Sequence, residues 1–166
     1  MPDQNRERLI AALNELSREA STWTILFHQA IADHVGLNIT DHKALDILTH
    51  RGAMTAGELS KITGLTTGAI TGVIDRLERA GYARRERDPH DRRRVVIQPL
   101  PEQAAQTLGP LFEHFQKRLI PLLESYSEDE LRVLLQYYRQ AVQALQEEIA
   151  WLRAQEPEKF GWPGER

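Results

Sequence analysis

The sequence has no cysteine, which excludes a disulfide scaffold, a thiolate metal site and a thiol redox switch. It has no apolar run approaching eighteen residues, so no membrane-spanning helix is expected. The first residues, MPDQNRERL, are too polar for a secretory signal, and cytoplasm is the expected location. Also missing are a glycine-rich phosphate loop, a G-x-S-x-G elbow, an H-E-x-x-H helix and a cysteine nucleophile, so neither an enzyme nor a cofactor is expected. The histidines lack the H-x-x-x-H spacing of a helical zinc pair, and no metal site is expected.

What is present is a chain of 166 residues, 41% hydrophobic and 27% charged. That is the composition of a soluble globular protein with a real core: one domain, or one domain with an elaborated helical part. The net charge of −3 hides an asymmetry. Residues 51–99 carry ten Lys/Arg against six Asp/Glu, and the rest of the chain is acidic. One basic segment on an acidic body points to a polyanionic partner met by that segment.

Leu9, Leu13, Leu16, Ala20, Trp23, Phe27 and Ala30 alternate spacings of four and three, an a/d seam over about three heptads. This predicts a long first helix ending near Val35 and Gly36, with the glycine just past its end. A second helix is expected from a cap at Thr40 to about Arg51, with Ala44, Leu45 and Leu48 inward and Gly52 closing it. Further on, Leu111, Phe112, Phe115, Leu119 and Leu123 mark another helix, with Pro110 near its first turn and Pro121 expected to bend its end. Ser127 and Glu130 form a capping box for a last long helix striped by Leu131, Leu134, Leu135, Tyr138, Val142, Leu145, Ile149 and Leu152. The two terminal stripes can be buried against a second chain or within an intrachain bundle. The Pro/Gly-rich stretch 156–166 is expected to be irregular.

The middle of the chain is the most informative. Thr55 and Glu58 form another capping box, opening a short helix with Leu59 and Ile62 inward and Gly64 at its end. Thr66 or Thr67 can cap the next helix, which buries Ile70, Val73, Ile74 and Leu77 and stops at Gly81. A short helix, a turn around glycine and a longer helix make a helix-turn-helix. The second helix exposes Thr66, Thr67, Gly68, Thr71 and Gly72 near its N-terminus, small and hydroxyl-bearing residues that allow close approach to base edges or phosphates. Two capped helices joined by a turn also occur in any helical bundle. The following stretch, RRERDPHDRRRVV, decides between the readings.

Six arginines occupy the eleven positions from Arg84 to Arg94, around the turn signal Asp88-Pro89-His90-Asp91 and before the β-formers Val95-Val96-Ile97. A solvated loop is one reading. An arginine-rich hairpin placed directly after a helix-turn-helix is a wing, whose Arg87, Arg92 and Arg93 can neutralise phosphates or enter a narrow minor groove. Asp91 can hold Arg93 by a charge-assisted bond and so orient it. The expected fold class is therefore mainly α with a small β-hairpin wing: a winged helix-turn-helix lobe plus long helices for dimerisation. A winged-helix module that binds protein and not DNA is the alternative.

The segment TAGELSKITGLTTGAITGVIDRLERAGYARRERDPHDRRRVVI, Thr55 to Ile97, resembles the MarR family of winged-helix transcriptional regulators. Asp75, Arg76, Leu77 and Gly81 match the family's D-R-L-x-x-x-G segment, Asp91 and Arg93 its D-x-R wing motif, and Arg85 its first-strand arginine. The resemblance implies a homodimer on a pseudo-palindromic operator in double-stranded DNA, and a repressor that responds to a small aromatic or anionic effector. It adds Arg76 and Arg85 to the expected DNA contacts and allows Asp75 to pair inward with Arg93. It also implies a division into a dimerisation helix over 1–36, a DNA-binding lobe over 37–100, dimerisation helices over 101–155 and a tail. Gly72 departs from the pattern, because many members carry a polar or basic residue there. Gln98-Pro99-Leu100-Pro101 replaces the usual L-T-x-x-G, so the start of the next helix is expected to be reshaped. The effector site implied between lobe and dimer helices would draw on Trp23, Phe27, His28, His34 and His42. Trp23 and Phe27 lie on the first seam and can equally be core residues.

Overall fold

A computed structural model of the protein describes residues 2–155, so the stretch 156–166 lies outside the described residues. In chain order the elements are α1 (Pro2–His34), α2 (Ile39–Arg51), α3 (Ala56–Thr63), α4 (Thr67–Arg79), β1 (Ala83–Arg87), β2 (Val95–Pro99), α5 (Pro101–Thr107), α6 (Gly109–Glu124) and α7 (Glu128–Ala154). The fold is mainly helical with one antiparallel hairpin. The chain divides into two compact units, Met1–His114 and Phe115–Arg166, and α6 begins in the first and continues in the second.

In the first unit, α1 ends where Gly36 and Leu37 donate their N–H groups to the carbonyls of Asp33 and Ala32, at 3.3 and 2.9 Å. The start of α2 differs from the expected cap at Thr40. Asn38 caps it, its Oδ1 accepting the Asp41 N–H at 2.8 Å. The short amide side chain reaches an otherwise orphaned first-turn donor, so the helix begins earlier. Thr55 and Glu58 form the expected box on α3, with the Thr55 N–H donating to Glu58 at 2.7 Å. Gly64 then turns the chain at φ 77°, a conformation that a Cβ would strain, and Thr66 caps α4.

Periodicity places Ala44, Leu45 and Leu48 of α2, Leu59 of α3, and Ile70, Val73, Ile74 and Leu77 of α4 on inward faces, and all are buried. Each large aliphatic chain removed from water contributes about 1.5–3 kcal/mol. The hairpin closes this core from Ala83 opposite Pro99 to Arg87 opposite Val95, burying Val96 and Ile97. Met54 joins its edge, accepting the Ile97 N–H at 2.7 Å. After the hairpin, the Leu100 N–H donates to the Tyr82 carbonyl at 2.8 Å and α5 follows, with Pro101 in its first turn and no side-chain cap. Sequence reasoning missed this short helix, whose start is marked by Pro101 in its first turn and not by a side-chain cap.

The second unit holds the later part of α6, which runs through Pro121 to Glu124, and α7. Ser127 and Glu130 form the expected box, the Ser127 N–H donating to Glu130 at 2.8 Å. No residue of α7 is buried in the single chain, and its stripe residues Leu135, Tyr138, Val142, Leu145, Ile149 and Leu152 are all exposed. Within the first unit, Leu9, Leu13 and Leu16 of α1 are exposed as well. Among the described residues no helix is long and apolar enough to cross a membrane.

Candidate nucleic-acid interface

At 100° per residue, the inward face of α4 leaves Gly68, Thr71, Gly72, Asp75 and Arg79 on the opposite side. The Thr66 hydroxyl accepts the Ala69 N–H at 3.3 Å as cap, and the Thr71 hydroxyl donates to the Thr67 carbonyl at 2.9 Å. Thr71 therefore presents lone pairs and a methyl group outward, features suited to an amino donor or a thymine methyl. A Cβ at Gly68 would meet nothing within 4 Å. Internal packing does not require glycine there. What the bare backbone provides is close approach from outside.

Two ion-pair systems grip the flanks of this helix. On one side, Nε and Nη2 of Arg76 donate to Oδ2 and Oδ1 of Asp41, both at 2.7 Å. Asp41 is 1% exposed and also accepts from Asn38 Nδ2 at 2.8 Å. The bond to Asp41 pushes the Arg76 pKa up and keeps its charge. On the other side, Arg85 of β1 donates through Nη2 to Asp75 at 2.6 Å and through Nη1 to Glu78, while its backbone N–H donates to Glu78 at 2.6 Å. Burial works against the Arg85 charge, but the bonds to Asp75 and Glu78 outweigh it and raise its pKa. Asp75 thus meets the wing through Arg85, which stands opposite Ile97 in mid-strand beside α4. The pairing of Asp75 with Arg93 that the resemblance allowed is not formed, because Arg93 lies in the loop beyond the strands.

The wing tip closes on itself. The Asp88 N–H donates to the Arg94 carbonyl at 3.0 Å, and the Arg94 N–H to the Asp91 carbonyl at 2.9 Å. Asp91 Oδ1 accepts the backbone N–H of Arg93 at 3.0 Å, so it meets Arg93 at the main chain as an Asx turn. Arg94 reaches back to Glu58 at 3.1 Å, and Arg84 pairs with Glu86 on its own strand. Among the described residues, Arg87, Arg92 and Arg93 have no carboxylate within ion-pair distance, and all three are exposed. The wing arginines are thus of two kinds: those paired with carboxylates of the lobe and those left exposed without a carboxylate partner. Sequence reasoning missed Arg79, exposed on the outer line of α4, and the anchors Asp41, Glu58 and Glu78. Asp41 did leave a signal, a carboxylate on the buried stripe of Ala44, Leu45 and Leu48.

Of the residues expected to form an effector site, the structure brings three together. The rings of His28 and His42 lie 5.2 Å apart, and both lie beside Phe112, with Phe27 5.8 Å from His28. Nδ1 of each histidine is buried without a hydrogen-bond partner. Burial lowers both pKa values, and for His42 the neighbouring His28 lowers it further. Trp23 is 63% exposed, its indole donating to Glu19 at 3.4 Å, and His34 is exposed in the last turn of α1. Among the described residues no group of three or more His, Cys, Asp or Glu could hold a metal ion.

Comparison with known proteins agrees with this geometry. The family model for the MarR family matches residues 37–95. The uncharacterised HTH-type transcriptional regulator YcgE of Bacillus subtilis (strain 168) is 44% identical over 149 residues, 90% of this chain and 96% of that one. The HTH-type transcriptional repressor YetL of the same organism is 34% identical over 85 residues, 51% of this chain and 49% of that one. A solved MarR family protein from Bacillus stearothermophilus superposes with a TM-score of 0.65 at 30% identity, covering 84% of this chain and 97% of its own. The chain belongs to the MarR family of DNA-binding winged-helix transcriptional regulators, which are not enzymes.

Proposed function

We propose that the protein is a cytoplasmic homodimeric repressor that reads a pseudo-palindromic operator, with α4 in the major groove and the wing, 84–97, in or beside the minor groove. The observation that carries this reading is the sorting of side chains on the lobe. The face of α4 turned from the core is bare or small at Gly68, Thr71 and Gly72, and uncommitted arginines gather at Arg79, Arg87, Arg92 and Arg93. Thr66 and Thr67 stand at the helix N-terminus, where backbone amides favour a phosphate. Arg76 and Arg85 support the reading as braces that hold α4 and the wing.

Dimerisation is supported by the exposed apolar faces of α1 and α7, a composition unusual for a monomer's surface. On this division 1–36 and 101–155 assemble the dimer and 37–100 forms the DNA-binding lobe. Repression is supported by the similarity to YetL, a transcriptional repressor. A small aromatic or anionic effector would act near Phe27, His28 and His42, where α1, α2 and α6 meet and two imidazole nitrogens lack partners. It would change the spacing of the lobes and leave the wing arginines uncovered.

Selection of bound sequences from random duplex DNA tests the proposal. The expected result is a two-fold symmetric consensus with half-sites about one helical turn, roughly 10 base pairs, apart. An absence of enrichment would favour a winged-helix module that binds protein.

A further inference from the structure

Two kinds of contact hold the recognition helix, and they constrain different things. Ile70, Val73, Ile74 and Leu77 pack among Leu45, Leu48 and Leu59, and apolar burial of this kind is non-directional. The pair between Asp41 and Arg76 is directional. Nε and Nη2 meet the two carboxylate oxygens in a fork at 2.7 Å each, linking residues 35 positions apart on α2 and α4. A leucine at position 41 would extend the buried stripe of α2 without the desolvation that a carboxylate suffers. Replacement of buried ion pairs by apolar residues is often neutral or stabilising, so orientation is what this pair can add beyond stability.

The geometry points to Asp41 as a positioning residue for DNA reading: by holding Arg76 in a bidentate fork, it sets the rotation of α4 about its axis. Arg76 is then a brace and not a phosphate contact. Thr71 and Gly68 face the bases only at the rotation that this fork and the Arg85 pair on the opposite flank define together. The Arg76 guanidinium passes Gly72 on its way to Asp41: a Cβ there would lie 3.4 Å from Arg76 Nη1, at the border of ordinary van der Waals contact. The inference rests on the DNA-binding reading above and adds a residue that makes no contact with DNA.

Asp41→Asn, Arg76→Lys and the double variant test it, on the selected operator and on random duplex over a range of salt. Circular dichroism confirms folding at an assay temperature well below each melting point. Lysine keeps the charge of Arg76 but cannot make the fork, and asparagine is isosteric with Asp41. The expected result is operator affinity lowered roughly tenfold in each single variant, the scale of a misplaced base-edge contact. Random-duplex affinity should change less than about twofold, with an unchanged salt slope, because that binding is electrostatic and carried elsewhere. The double variant should be no worse than either single one, since both remove the same fork.

A phosphate-contacting Arg76 gives the opposite pattern. Arg76→Lys would bind normally, and Asp41→Asn would free a cation and tighten binding to both duplexes with a steeper salt slope. That outcome, additive losses, or normal operator discrimination by folded variants would each overturn the proposal. If the wild-type protein itself enriches no sequence, the DNA-binding reading fails first, and the unmutated control shows it.

Discussion

The winged lobe and the long helices contain similar apolar stripes that end in opposite conditions. In the lobe, Leu45, Leu48, Leu59, Ile70, Ile74 and Leu77 are almost completely withdrawn from water. On α1 and α7 the equivalent positions stand open in the single chain, with Leu13 58% and Leu145 63% exposed. Helical periodicity reports that a face will be buried, not what will bury it. The lobe finds its cover in the three helices and the hairpin that follow each other in sequence. In the proposed homodimer the long helices present theirs to a second copy.

The strongest way to break this contrast is to charge the open face. Replacing Leu13 and Leu16 together with Glu should convert dimer to monomer, since an unpaired charge in a dry seam costs on the order of several kcal/mol. Sedimentation velocity checks it, and an intact dimer would place the interface elsewhere. Next in size is the same kind of loss on the closed side. Leu77→Ala should lower lobe stability by about 2–5 kcal/mol through the cavity left behind, read by denaturant unfolding, with oligomeric state unchanged at low denaturant. A cost well under that range would mean that the lobe core collapses around the gap.

Smaller effects sharpen the division within the lobe between residues that build and residues that bind. Thr71→Leu should weaken operator binding by roughly 1–3 kcal/mol with little change in stability, because Thr71 faces away from the core. Equal loss on random duplex would reduce Thr71 to a backbone contact. Arg93→Ala should lower the salt slope by about one unit per wing and leave the melting temperature alone. Arg85→Ala should lower the melting temperature, since it unties Asp75 and Glu78. Identical behaviour of the two variants would dissolve the distinction between anchoring and free arginines.

The smallest expected effect lies where α1 meets the lobe. Burial depresses the pKa of His28 and of His42, the His28 charge lowers that of His42 further, Lys43 adds to the depression of both and Asp46 works against it. The folded chain therefore binds fewer protons than the unfolded chain once the pH falls below the ordinary imidazole value of about 6.5. Stability present above that value should be lost progressively on acidification towards the lower folded pKa values. A melting-temperature series from pH 7.5 to 5.5 checks the sign, and His42→Phe should flatten it. An unchanged slope in that variant would assign the pH dependence to other groups.

The residues that make each element were legible because their causes are local. Thr55 with Glu58, and Ser127 with Glu130, are three positions apart, and a capping box needs no other part of the chain. Gly64 and Gly81 end helices because the backbone turns left-handed at those residues. The Asp88-Pro89 turn and the β-branched Val95, Val96 and Ile97 specify a hairpin for the same reason. The expected cap at Thr40 failed for a local reason too: the Asn38 side chain reaches the Asp41 amide, and α2 begins there.

By itself, then, the sequence determined a capped helix-turn-helix, an arginine-rich hairpin and two long apolar stripes, because periodicity and capping act over a few residues. Only the tertiary structure decided which arginines are tied into ion pairs and which are left unpaired. Arg76 and Arg85 carry the same charge as Arg92 and Arg93 and sit in the same basic segment. They differ because folding brings Asp41 to one and Asp75 and Glu78 to the other, over separations of 35, 10 and 7 residues. Ion pairing depends on distance in space, and no pattern along the chain encodes that distance until the core has folded.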